Sequence, residues 1–311
     1  MHKLAGIYAA AVTPADADGL PLPDHIPALL GFLAERGAHG ALLLGTTGEG
    51  TSFSPEERLT VMRAAVRVRE AHPDFRLLAG TGTPSLSESI ALTRAAFDLG
   101  YDGVVVLPPY YFRSASDEGL YRWFAALMQA AVPADGALFG YHIPQVSGVG
   151  LSLDLLARLR ADFPNFVGIK DSSGDPAHAA ALGARFDDDL LVLNGNDRLL
   201  SHALRHHAGG AITALANLAS PFLRRVWEAH RAGQPDLAAQ AILDAGRTVM
   251  EDYPPFGPTL KALLHRLHGF PEWGVRPPLL PLAEEQAAEA AERMRKALRM
   301  RRKSEKHALT G

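Results

Sequence analysis

Cysteine is absent from all 311 residues. That excludes disulfides, thiolate nucleophiles and cysteine-bound zinc or iron–sulfur clusters. Long apolar runs are missing as well. Nothing approaches the roughly 18 uninterrupted apolar residues of a membrane helix, and the opening Met1-His2-Lys3-Leu4-Ala5-Gly6 lacks the apolar stretch of a secretory leader. A cytoplasmic protein is the expectation. Charge of one sign is scarce: a net charge of −3 offers no electrostatic reason to expect nucleic acid or an anionic membrane as partner. Basic residues gather only between Arg293 and Lys306, which reads as a solvated helix face rather than an anion-binding or nucleic-acid-binding arm. There is no low-complexity linker and no strict repeat. What remains, 47% hydrophobic and 21% charged, suits a globular chain that builds one large α/β barrel or two smaller domains.

Short apolar runs recur with helical segments between them. The predicted strands are Ile7–Val12, Gly40–Leu44, Arg76–Ala79, Gly103–Leu107, Ala137–Tyr141, Phe166–Lys170, Leu190–Leu193 and Gly210–Ala214. Several, such as Ala41-Leu42-Leu43-Leu44, are nearly continuous apolar runs, as buried parallel strands are; half-exposed antiparallel strands alternate instead. Ser54-Pro55-Glu56-Glu57, Asp175-Pro176 and Ser220-Pro221 mark helix starts, and Gly37 and Gly100 mark helix stops. Eight strand–helix units fit a (β/α)8 TIM barrel over residues 1–232, with its chemistry at the strand carboxyl ends. The rival is a doubly wound open sheet. Residues 233–311 read as a carboxyl-terminal helical extension, Asp236–Glu251, Gly257–His268 and Ala283–Arg302, broken by Pro254-Pro255 and Pro277-Pro278.

The strand ends carry candidate chemistry. Strand two runs into Gly45-Thr46-Thr47-Gly48-Glu49-Gly50, where glycines let backbone amides and two hydroxyls turn together towards an anion. The Gly-Lys-Ser/Thr of a nucleotide loop is missing, so a carboxylate suits this turn better. Strand four ends in Pro108-Pro109-Tyr110-Tyr111-Phe112, strand five in Tyr141-His142-Ile143-Pro144 and strand six in Lys170. An amine that attacks a ketone, a phenol that moves protons and amides that hold a carboxylate make a set suited to Schiff-base aldol chemistry.

Gly45-Thr46-Thr47-Gly48-Glu49, Tyr141-x-x-Pro144 and Gly168-Ile169-Lys170-Asp171, in that order, resemble the signatures of the dihydrodipicolinate synthase / N-acetylneuraminate lyase family. The resemblance covers the chain from Gly6 to about Leu282. It implies a TIM barrel with a helical extension, commonly tetrameric, that binds pyruvate as a Schiff base with neither metal nor cofactor. Carried onto this sequence, it implies Lys170 as the Schiff-base amine and Tyr141 as the general acid/base. Thr46 and Thr47, in the turn with Gly48, would bind the pyruvyl carboxylate, and the Thr46 hydroxyl would relay protons. Tyr111 matches a relay tyrosine supplied by a neighbouring subunit in a homotetramer or homodimer, and Ile212 a position whose backbone lines the pyruvate pocket.

Departures bear on the substrate. True dihydrodipicolinate synthases carry an arginine two residues after the proline, and here Val146 stands there; an apolar side chain supplies no carboxylate clamp. Ile143-Pro144 with Ser147-Gly148-Val149 looks like the lyase subgroup, yet Arg198 occupies the place of that subgroup's sugar-binding Glu. Arg198 suits an anionic substrate tail if it faces the mouth. Lys170-Asp171-Ser172-Ser173 and Ala214-Leu215-Ala216-Asn217 look more like hydroxy-oxoglutarate or keto-deoxy-sugar-acid aldolases, with Ser172 and Ser173 placed to hydrogen-bond a tail. The expectation is therefore an aldolase that joins pyruvate and an aldehyde in a 2-oxo-4-hydroxy acid. A genuine 4-hydroxy-tetrahydrodipicolinate synthase is the alternative. A metal-dependent barrel enzyme is a weaker rival: His206-His207 and His265-x-x-His268 fall in predicted helices, and His142 should point away from Tyr141 to pack or cap. A non-catalytic pyruvate-binding protein would have no chemical reason to keep the Lys, Tyr and Thr set.

Overall fold

The computed structural model describes residues 2–299. Eight parallel strands close into one barrel in sequence order: β1 Ile7–Ala10, β2 Gly40–Leu43, β3 Arg76–Gly80, β4 Gly103–Val106, β5 Leu138–His142, β6 Phe166–Asp171, β7 Leu191–Asn194 and β8 Gly210–Thr213. Closure, with Ile7–Ala9 of β1 paired to Ala211–Thr213 of β8, excludes the open sheet. The helices are α1 Ile26–Glu35, α2 Pro55–Ala65, α3 Leu86–Asp98, α4 Asp117–Ala131, the short α5 Pro144–Ser147, α6 Leu153–Asp162, α7 Pro176–Phe186, α8 Leu200–Arg205 and α9 Ala216–Arg231. Three more follow: α10 Leu237–Asp252, α11 Phe256–His268 and α12 Glu284–Ala297. The fold is a TIM barrel with carboxyl-terminal helices, and among the described residues no helix is long and apolar enough to cross a membrane.

Two of the three helix-start signals act where they were read. Ser54 accepts from the Glu57 amide while the Glu57 carboxylate accepts from the Ser54 amide, a full capping box on α2. Asp175 caps α7. Ser220-Pro221 marks a kink rather than a start: α9 already begins at Ala216 and bends at Ala219. The added turn carries Asn217, which accepts from the Val12 amide and donates to the Ala10 carbonyl (2.8 Å), tying the end of β8 to β1.

Strand alternation divides the core in two. One cluster fills the barrel interior with Tyr8, Leu42, Leu78, Val105, Phe139, Leu193 and Ile212. The other lies between barrel and helices and runs without a break into the extension through Leu243, Leu260 and Met294. Glycine makes room for the largest interior rings: a Cβ on Gly168 would sit 2.7 Å from the Phe139 ring. Two residues further along β6, on the same inward face, stands Lys170.

Within the described part of the basic segment, Arg293 pairs with Asp252 and Arg295 with Glu292. Residues 300–306 of that segment lie outside the described residues.

Candidate active site

Lys170 and Tyr141 are register partners on β6 and β5, so both point into the barrel at its carboxyl-terminal mouth. Lys170 is buried, with Nζ 4.1 Å from the centre of the Tyr141 ring. The Tyr141 hydroxyl lies 3.3 Å from Thr46 Oγ1. Burial alone would raise the phenol, but the Lys170 charge, with hydrogen bonds from Thr46, Lys170 and Ser172, outweighs it and holds Tyr141 below the ordinary phenol range. A phenol so placed gives up its proton more readily than a free tyrosine. It is suited to acid/base work beside the amine.

The turn after β2 is held in a costly conformation. Leu44 and Glu49 adopt left-handed backbone angles (φ 59° and 56°), which non-glycine residues rarely do. Gly50 donates to the Gly45 carbonyl (3.1 Å) and Glu49 to that of Thr46 (3.2 Å), closing the loop that presents Thr46 and Thr47. What over-determines this shape is a buried ion pair. The Glu49 carboxylate, fully buried, meets Lys261 of α11, and its other oxygen accepts from the Arg276 amide at 2.9 Å. Lys261 also donates to the Gly274 carbonyl (2.7 Å), and burial pulls its ammonium below the ordinary range despite Glu49. The carboxyl-terminal helices thus brace the carboxylate turn from behind.

These residues face a cavity of about 790 Å³, lined by Thr46, Thr47, Tyr141, Lys170 and Ile212 among others. Comparison with known proteins shows the family over nearly the whole chain. A family model described as "Dihydrodipicolinate synthetase family" matches residues 3–297. The chain belongs to this family. It is 40% identical over 292 residues to an uncharacterised DapA-like lyase of Chloroflexus aurantiacus, covering 93% of this chain and 95% of that one. It is 31% identical to 4-hydroxy-tetrahydrodipicolinate synthase 2 of Halalkalibacterium halodurans, covering 90% and 94%. Among solved structures it superposes on YagE, a dihydrodipicolinic acid synthase family protein of E. coli K12 in complex with pyruvate, with a TM-score of 0.88, 28% identity and 96% and 100% coverage. This member of the dihydrodipicolinate synthetase family is accordingly an enzyme of the Schiff-base aldolase and lyase class.

The other expected residues divide. Ser172 and Ser173 line the cavity, as does Val146. Gly48 does not: its carbonyl accepts from Thr13 Oγ1 (2.7 Å), and a Cβ there would lie 2.7 Å from the Ala11 carbonyl, so this glycine shapes the turn rather than touching a ligand. Tyr111 also lies outside the cavity, 76% exposed with its ring edge-on to Phe112, and Tyr110 lines the wall instead. Arg198 is the clearest correction. Backbone direction in the turn Asp197–Leu199 buries Asp197 and turns Arg198 outward, onto Glu251 (2.6 Å) and Thr248 (2.6 Å) of α10.

The cation that does reach the wall is Arg247 of α10, which the sequence reading missed. Its Nε donates to Glu251 at 2.9 Å and its Nη1 stands 3.3 Å from Asp197, with the guanidinium over the Phe256 ring. Burial pushes the Asp197 carboxyl up, so Glu251, shared with Arg198, is the firmer counter-charge. Phe256, Gly257, Pro278 and Leu279 complete the wall from the extension. A helical pattern of apolar residues gives no sign of which turn meets a distant barrel mouth. Only a lone lysine beside Leu260, Leu263 and Leu264 hinted at Lys261.

Histidines gather at one point. His142, Asp171 and His178 bring possible ligand atoms within 4.8 Å of one another. The two rings are stacked, 4.5 Å apart and 13° from parallel. A metal lies in the plane of each imidazole that binds it, and two stacked planes share no such point, so this group is not built as a metal centre. His142 does what alternation predicts: it faces away from the mouth, and its Nδ1 accepts from the Leu151 amide at 3.0 Å. The other pairs are occupied locally, His207 by Asp187 and His265 by the Phe270 carbonyl.

Proposed function

We propose that this enzyme is an aldolase that cleaves or forms 2-oxo-4-hydroxy acids through a pyruvyl Schiff base on Lys170, with a hydroxylated, uncharged aldehyde as the second fragment. The observation that carries the reading is the pairing of every charge on the cavity wall other than Lys170. Glu49 is paired with Lys261, and Arg247 is held by Glu251, with Asp197 within 3.3 Å. Among the described residues no unpaired cation remains on the wall for a second carboxylate. Thr51, Ser52, Tyr110, Ser172, Ser173 and Asn196 offer instead hydroxyl and amide partners for a polyol tail.

Lys170 Nζ attacks the 2-oxo carbon. Tyr141 donates a proton as the carbinolamine loses water, leaving an iminium. With the carboxylate on the Thr46–Thr47 turn, the phenolate of Tyr141 takes the proton of the 4-hydroxyl. The C3–C4 bond then breaks, its electrons flow into the iminium, and the aldehyde leaves an enamine behind. Protonation at C3 and hydrolysis release pyruvate, the ligand bound in YagE. Tyr141→Phe is expected to lower kcat by roughly 10²–10⁴-fold, the usual worth of a positioned acid/base. The exposure of Tyr111 on the single subunit supports a role across an interface of a homotetramer or homodimer. Tyr111→Phe should then slow only the assembled enzyme, and a fully active monomer would remove its role.

The name of the Halalkalibacterium halodurans relative favours a second reading, condensation of pyruvate with aspartate semialdehyde. Val146 weighs against it: 59% exposed on the cavity wall, it offers no clamp for that substrate's carboxylate. An aldehyde panel decides. D-glyceraldehyde is expected to exceed aspartate semialdehyde in kcat/KM by about tenfold or more, the scale on which an unmet charged group discriminates; the reverse order would replace the proposal. Val146→Arg should raise aspartate-semialdehyde use, and no gain would mean the clamp is not what is missing.

A further inference from the structure

We infer that Asp171 and His178 form a staple that holds the loop between β6 and α7 in the shape presenting Ser172 and Ser173 to the aldehyde half of the substrate. This rests on the aldolase reading above for the identity of that half. Asp171 is the last residue of β6, one past the Schiff-base lysine, and its side chain faces the opposite side of the barrel wall from Lys170. His178 is in the first turn of α7. Their approach, Nδ1 to Oδ2 at 3.3 Å with both side chains largely buried, closes residues 172–177 into one loop. The distance is long for an aligned charge-assisted hydrogen bond, so the attraction is chiefly ionic.

Everything inside the staple leads to the two serines. The second oxygen of Asp171 accepts from the Ser173 amide (3.0 Å), and Ser173 Oγ accepts from the Asp175 amide (3.2 Å). The Ser172 amide donates to the His142 carbonyl (2.8 Å), and Gln145 donates to the Ser172 carbonyl (2.6 Å). Ser172 and Ser173 are the part of this loop that, with Gly174, reaches the cavity wall. His142 is the floor of the staple, its ring stacked on His178. His142 is the neighbour of Tyr141 on β5 as Asp171 is of Lys170 on β6, and the two are register partners. The staple therefore sits directly behind both chemical groups without touching the substrate. Asp171 and His178 are positioning residues.

The staple depends on the charge states of its members. Asp171 holds His178 above the ordinary imidazole range against the effect of burial. Burial works to raise Asp171, but His178 and the Ser173 amide outweigh it and hold the carboxyl below its ordinary range. Burial, then the His178 charge, keeps His142 below the ordinary range, so the stack carries one cation and not two. The groups facing His178 are Asp171 of β6, His142 of β5 and Asp175 at the start of its own helix. From the helices packed on α7, Asp154 of α6 is taken by Arg185 and His202 of α8 by the Pro176 carbonyl. A raised histidine stabilises while protonated and loses that contribution as pH rises through its folded pKa; a depressed aspartate loses its own as pH falls. The staple is thus closed between the two and opens on the alkaline side.

The test compares wild type with His178→Gln, which keeps a polar group and removes the titration, and with Asp171→Asn. Four quantities are measured from about pH 6 to pH 9, across the range in which a histidine of raised pKa discharges. They are borohydride trapping of pyruvate, KM and kcat for pyruvate with D-glyceraldehyde, and hydrogen exchange of the peptide spanning 171–178, corrected for its intrinsic pH dependence. Wild type should show a rise of about fivefold in corrected exchange and in KM for D-glyceraldehyde towards high pH, the scale of one partly exposed ion pair. Its kcat should change less than KM, and the adduct yield should follow the same profile in all three proteins. Both variants should lie flat at the high-pH level and still trap pyruvate. The same pH profile in wild type and His178→Gln overturns the staple. A loop that loosens while KM stays constant overturns its link to the aldehyde. Loss of trapping in all three proteins would fall on the Schiff-base reading instead, and the exchange profile alone would then judge the staple.

Discussion

Lys170→Ala is expected to remove the borohydride-trapped pyruvyl adduct entirely and to lower kcat by about 10⁴-fold or more, with little change in stability. The size follows from the role: a covalent nucleophile has no partial substitute, and what remains after its loss is binding and electrostatics alone. Stability should hold because the amine makes no ion pair among the described residues and stands over the Tyr141 ring, 4.1 Å from its centre. Intact mass after pyruvate and borohydride, followed by peptide mapping, reads the first half; turnover of the best substrate from the aldehyde panel reads the second. An adduct that persists in Lys170→Ala would move the Schiff base to another lysine. The other buried lysine among the described residues, Lys261, is committed to Glu49 and the Gly274 carbonyl and lies behind the turn rather than in the mouth.

Lys261→Met should instead cost stability. Glu49 and Lys261 are both essentially removed from water. Removing the lysine leaves a carboxylate buried with only the Arg276 amide for company, and breaking such a pair from one side costs about 3–5 kcal/mol. For a chain of this length that is a fall in Tm of roughly 5–10 °C. Adding Glu49→Gln should restore part of the loss, since the stranded charge is then gone. The function should suffer in a specific way: with its brace weakened, the Thr46–Thr47 turn relaxes from its left-handed angles at Leu44 and Glu49, and KM for pyruvate rises more than kcat falls. A melting temperature within a degree of wild type would show that the turn holds itself.

These two lysines mark how far the sequence could be read. Lys170 was visible because an apolar run ending in one cation reads as a strand delivering an amine, a weak signal by itself, and because Tyr141 and the Thr46–Thr47 turn fall at the ends of other such runs. Strand period places Lys170 two residues beyond Gly168 on the same face, and it places His142 away from Tyr141. The structure agrees on both. Arg198 failed for the same reason that those succeeded. It lies in a short turn, where no period of two or of 3.6 says which way a side chain points, and the chain there buries Asp197 instead.

The sequence by itself determined the eight apolar strands, the caps that start their helices and the three separated motifs whose residues meet at one barrel mouth. Those are local and periodic properties, written into short stretches by propensity and by the demand that apolar faces leave water. Only the tertiary structure decided which parts of the extension close the cavity, that Arg247 rather than Arg198 reaches its wall, and that Lys261 pairs with Glu49. It alone brought Asp171, His178 and His142 together behind the lysine. Each of these depends on how helices pack against strands far away in the chain. That packing is set by the summed fit of many side chains, so no single segment carries the information.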